Sequence, residues 1–188
     1  MFESMIDPTG GWAASATDGA PRAARPDRLD GLTVGLLANT KRNAEAFLEA
    51  VGELLAGEHA TAGVVRRTKA SIVDPVPAAT LAEMVELCDV VVIGVGDCGS
   101  CSASAVADGI AFEAAGVPAA VICSDAFRVT AEAMAGLRDS PGYEFALTPH
   151  PVAPLDADGV RERAVAVLPR LVGLLTGASA VPERAVAG

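Results

Sequence analysis

Aromatic side chains make up only 4% of the 188 residues, with one tryptophan, Trp12, and one tyrosine, Tyr143. A core must therefore be packed by Ala, Val, Leu, Ile and Gly, as suits helices lying close on a sheet. Basic residues are also scarce: 14 Lys and Arg against 24 Asp and Glu give a formal charge of −10. That balance opposes nucleic acid and anionic membrane, both of which need a basic footprint. No run approaches the roughly 18 apolar residues of a membrane span. The N-terminus lacks the basic and apolar regions of a signal peptide, so a soluble, cytoplasmic protein is expected. In that compartment four cysteines read as chemistry, metal or core rather than as a disulfide scaffold.

What is present is a βα alternation. Residues 1–30 are rich in Pro, Gly, Ala and Asp and read as an extended N-terminal arm. Residues 31–176 form a single α/β domain, and 177–188 a flexible tail. Strands are expected at Leu32–Ala38, Ala62–Arg67, Val90–Val95, Ala119–Cys123 and Phe145–Thr148. Helices are expected at Asn43–Leu55, Pro77–Cys88, Ser102–Ala115, Phe127–Arg138 and Asp158–Leu175, the last kinked or broken at Pro169. Five strands alternating with helices imply a doubly wound parallel sheet in a three-layer sandwich, with flavodoxin-like order 2-1-3-4-5 as the simplest arrangement. That order puts a ligand crevice between the carboxyl ends of strands 1 and 3. Within the arm, Met5-Ile6, the Asp7-Pro-Thr-Gly10 bend and Trp12 supply apolar anchors. Docking of that segment over the crevice, or onto a second subunit, is expected.

The segment Asp97-Cys98-Gly99-Ser100-Cys101-Ser102 follows the most apolar strand and opens the next helix. A C-x-x-C in a strand-to-helix turn exposes sulfur to unpaired N–H groups and the positive end of the helix dipole, which favour thiolate. An adjacent thiol can then resolve a mixed disulfide. Cys98, nearer the turn, reads as the nucleophile and Cys101, about one turn in, as the resolver. Gly99, Ser100 and Ser102 complete the substrate-binding turn. The strand 1 loop should add Asn39, Lys41 and Asn43. Cys123-Ser-Asp125 and Thr148-Pro-His150 close the rim from strands 4 and 5. His150 and Asp97 are the candidates for proton transfer. His59 lies at a helix end and reads as exposed.

Other readings of the same residues are weaker. One C-x-x-C without a second ligand pair argues against zinc, and no metal site is expected. Gly94-Val-Gly96-Asp-Cys-Gly99 formally fits G-x-G-x-x-G, but it follows the third strand and carries Asp97, whose charge opposes a pyrophosphate. Those glycines suit the tight backbone around Cys98 better. Cys88 ends an amphipathic helix and reads as core. Arg66, Arg67 and Lys69 read as a solvated strand end.

The chain resembles a family of small proteins named for a Sec-Gly-Ser-Cys (UGSC) motif, in many of which cysteine stands for selenocysteine. The resemblance runs through Asp7-Pro-Thr-Gly10, Leu36-Leu-Ala-Asn-Thr-Lys41, Val65-Arg-Arg67 and Gly94-Val-Gly-Asp-Cys-Gly-Ser-Cys101. It continues through Asp108-Gly-Ile110, Gly116-Val-Pro118, Val121-Ile-Cys123 and Pro149-His-Pro151. Cys98 falls at the selenocysteine position and Cys101 at its partner cysteine. This implies a redox or nucleophilic role for position 98. The family is more distantly similar to the selenoprotein B subunits of glycine and betaine reductases, which belong to multi-protein complexes.

The leading expectation is a thiol-dependent oxidoreductase acting on a small molecule. It uses no bound cofactor, and an external thiol or protein electron donor would restore the dithiol. A redox-inert lyase or isomerase, like the aspartate/glutamate racemase group, would pair Cys98 with Cys123 as a second acid/base thiol. A third reading is a noncatalytic or partial-site subunit. The small-residue surface favours a homodimer.

Overall fold

The computed structural model describes residues 22–177. Five strands, β1 (Thr33–Ala38), β2 (Gly63–Thr68), β3 (Val90–Gly96), β4 (Ala119–Ser124) and β5 (Ala146–Thr148), alternate with five helices. These are α1 (Ala44–His59), α2 (Ala78–Leu87), α3 (Gly99–Ala114), α4 (Arg128–Leu137) and α5 (Ala157–Thr176). All strand pairs are parallel, in the order β2-β1-β3-β4-β5. This is the flavodoxin-like order expected from the alternation.

The sheet is covered on both sides, which explains why every residue of β3 is buried. On one face α1 and α5 pack Phe47, Leu48, Val167 and Leu171 against Val34, Val92 and Ile122. On the other, α2, α3 and α4 pack Met84, Val106, Phe112 and Ala131 against Leu37, Val91 and Val121. The scarcity of aromatics is met by close approach of small residues. A Cβ on Gly109 of α3 would collide with the Tyr143 hydroxyl and Val121, so the one tyrosine fits only over a glycine.

Residues 22–30, part of the expected arm, lie against the amino end of the sheet. The Arg25 guanidinium forks onto Glu113 with two bonds of 2.7 Å, and its Nε donates to the Leu174 carbonyl at 2.8 Å. Glu113 also accepts the N–H groups of Ala23 and Ala119, while Leu29 is buried in the α1/α5 core. The expected docking of Met5–Trp12, and the tail beyond residue 177, lie outside the described residues.

Helix α1 runs to His59, four residues beyond the expected Leu55, most other ends shift by a residue, and two further departures concern α3 and α5. Helix α3 begins at Gly99 rather than Ser102, because Cys98 is itself the cap. Its backbone is extended, and its Sγ accepts the Cys101 N–H at 3.2 Å. Helix α5 runs through Pro169 without ending. Pro169 and Val165 both lie on the exposed side, where water can satisfy the carbonyl that the proline leaves unbonded. Among the described residues no helix is long and apolar enough to cross a membrane.

Candidate functional site

The chain reverses direction between β1 and β3, so the loops after these strands sit side by side at the carboxyl end of the sheet. Asn39, just past β1, is buried and donates from Nδ2 to the Val95 carbonyl at 3.0 Å, while its Oδ1 accepts the Lys41 N–H. Its amide therefore stitches the two loops together. The Lys41 ammonium has no hydrogen-bond or ion-pair partner among the described residues.

Above β3 the sulfurs of Cys98 and Cys101 are joined as a disulfide, with Cα atoms 5.2 Å apart. The two are not equivalent: Cys98 is half-buried, whereas Cys101 is 1% exposed. Gly96 makes this turn sterically feasible. A Cβ there would lie 2.8 Å from the Ser102 backbone and 2.9 Å from the Cys123 sulfur. The Ser102 hydroxyl donates toward the carbonyls of Gly96 and Cys98, locking the first turn of α3. Ser100 is exposed, its Oγ 3.6 Å from Cys98 Sγ. Gly99, half-buried, faces Thr130 of α4.

Asp97 turns away from the cysteines toward the loop after β5. Its Oδ1 lies 2.9 Å from His150 Nδ1, and its carboxylate accepts the N–H groups of Val152 and Ala153. Burial pushes this carboxyl up. The backbone N–H groups of Ala153 and Val152, with Ser124 and His150, outweigh it and hold the pKa below the ordinary value. An ionised Asp97 accepts a proton carried on His150 Nδ1, which leaves Nε2 as the other ring nitrogen of a side chain that is 38% exposed. The Phe127 ring meets the imidazole edge-on at 5.3 Å, and the Asp125 carboxylate accepts the His150 N–H.

Asn43 and Cys123 serve differently. Asn43, in a left-handed conformation at the start of α1, donates from Nδ2 toward the carbonyls of Val152, Ala153 and Leu155. It clamps the loop from one side while Asp97 holds it from the other. Cys123 is fully buried behind Gly96, and burial pushes its thiol up to about 12.

The sequence reading missed a second polar group. Lys69 is not solvated with Arg66 and Arg67, which pair with Glu49 and Glu83 at the surface. It is 5% exposed, and its Nζ donates to Asp108 at 2.6 Å and to Ser104 at 2.7 Å. Asp108 also accepts the Val76 N–H. Burial outweighs these partners and raises the Asp108 pKa. A signal existed: a lone charge inside an apolar stretch of α3 must find a partner. Phe127 carried no such signal. Among the described residues no cluster of three or more His, Cys, Asp or Glu is arranged to hold a metal ion.

Fold and site together define a flavodoxin-like α/β protein with a C-x-x-C disulfide capping a helix at the carboxyl end of its sheet. The sequence model of the UGSC family matches residues 4–177, and the chain belongs to that family. A comparison with curated proteins found no match.

Proposed function

We propose that this chain is a thiol-dependent oxidoreductase acting on a small disulfide or related electrophilic sulfur compound. The observation that carries this reading is a bonded sulfur pair whose members differ in exposure: Cys98 is reachable, and Cys101 is buried beneath it. In the dithiol state the Cys98 thiolate, favoured by the Cys101 N–H and the start of α3, attacks one sulfur of R–S–S–R′. The substrate S–S bond breaks and R′S⁻ leaves. The Cys101 thiolate then attacks Cys98 Sγ, the bond to R breaks, and RS⁻ departs. Two electrons pass to the substrate, the two cysteine protons end on the released thiols, and the pair becomes a disulfide. An external thiol or protein dithiol reduces it again.

His150 Nε2, with Asp97 holding Nδ1, would take up a cysteine proton as base and return it to the leaving thiolate. The unpaired Lys41 ammonium would hold an anionic substrate beside Asn39. The alternative that pairs Cys98 with Cys123 is disfavoured by a Cys123 thiol that is buried and protonated at neutral pH. In this reading the chain works as a homodimer, and measured molar mass checks that assembly. Turnover that needs a second protein would instead make it one subunit of a larger reductase.

Intact mass with thiol counting under denaturing conditions tests the chemistry. Oxidation should reduce the four thiols to the two of Cys88 and Cys123. In the presence of a small disulfide, Cys101→Ser should trap a mixed disulfide on Cys98, and Cys98→Ser should trap none. Retention of four thiols under oxidant would overturn the reading.

A further inference from the structure

The buried Lys69–Asp108 pair lies on the same stripe of α3 as Cys101. Cys101, Ser104 and Asp108 are spaced by three and four residues, so they share one helix face. All three are nearly inaccessible, at 1%, 6% and 1%. Lys69 enters from the end of β2, and the same crevice is lined by Asn39, Lys69, Cys101, Ser104 and Asp108. Among its lining residues Lys69 and Asp108 are the charged ones. Asp97 is turned to the loop after β5, and Arg138 acts on Asp108 from the end of α4.

The orientation of the pair has a consequence. Nζ bonds Ser104, one turn from Cys101, whereas the Asp108 carboxylate lies two turns away. The positive end of the pair therefore faces Cys101. Two of the three ammonium donors are used, leaving the third. Cys123, the other thiol behind this turn, has a hydroxyl but no cation among the groups that act on it, and burial pushes it up to about 12. Cys88 is pushed to about 11 by burial and the Asp89 charge, against only the surface Arg67. A resolving thiol as buried as these needs compensation for its charged form.

We propose that Lys69 is a positioning residue for the resolving thiol, stabilising the Cys101 thiolate through its ammonium while Asp108 fixes that ammonium in place. This rests on the oxidoreductase reading for its purpose, but its test does not require turnover. In a Cys88→Ala/Cys98→Ser/Cys123→Ala background Cys101 is the sole thiol, and thiolate absorbance near 240 nm reports its titration. Lys69→Met should raise the midpoint by about one pH unit or more, and Asp108→Asn should lower it. A merely structural pair would shift both variants the same way. Lys69→Arg should restore the parent midpoint. The proposal is overturned if Lys69→Met leaves the midpoint unmoved, or if both substitutions move it in one direction. The thiol count above would stand in either case, so the two ideas fail separately.

Discussion

Asp97 and Asp108 sit eleven residues apart on one β-strand–helix unit, both buried, yet their acidities move in opposite directions. Burial opposes ionisation in each. Asp97 wins against it because two rigid backbone N–H groups, a hydroxyl and an imidazole converge on its carboxylate. Asp108 has one backbone N–H and one ammonium, and burial prevails. Two things differ together: Asp108 is the more deeply desolvated carboxylate, and it has fewer hydrogen-bond donors to offset that burial. The difference also separates roles. Asp97 secures a surface loop and a half-exposed histidine, while Asp108 secures a buried cation behind the disulfide.

The comparison breaks most sharply at the lysine. Lys69→Ala leaves a buried carboxylate uncompensated and should cost about 3–5 kcal/mol in urea unfolding, with part recovered by adding Asp108→Asn. Asp97→Ala should cost somewhat less, about 2–3 kcal/mol, because its orphaned N–H groups lie in a loop that water can reach. That substitution should also speed amide hydrogen exchange at Val152 and Ala153, leaving Val76 protected.

Acid titration of stability sharpens the contrast. The folded pKa of Asp97 lies below its ordinary 3.8, so the unfolded chain binds that proton more tightly. Its stabilisation is complete above 3.8 and is lost as pH falls through the folded value. Asp108, raised above 3.8, is opposite: its contribution is present below that pH and lost as pH rises through the folded value. Asp97→Asn should therefore flatten the loss on the acid side, and Asp108→Asn the decline on the other. Urea midpoints across this range distinguish them. The smallest effect is expected at the surface, where Arg66→Ala, opening the exposed pair with Glu49, should change stability by about 0–1 kcal/mol.

Much of the fold was legible because hydrophobic periodicity and turn residues are local. The run Val90–Val95 could only be a buried strand, and glycines on either side of Asp97-Cys98 marked the turn that holds the cysteines. The start of α3 was placed three residues late because Gly99 and Ser100 are weak helix formers, and a cysteine sulfur is an unusual cap. Lys69 was misread as solvated because its partner Asp108 is 39 residues away in sequence. Asn43 looked like a ligand, whereas its amide is spent on carbonyls more than a hundred residues on.

The sequence by itself determined the alternation of strands and helices, the position of the C-x-x-C at a strand end, and the shortage of large side chains that forces close packing. These follow from short-range patterns of polarity and backbone preference. Only the tertiary structure decided which cysteine is exposed, which charges are buried, and which carboxylate holds the histidine. Those depend on which distant segments the parallel crossovers bring together, and on how many donors each buried group then finds.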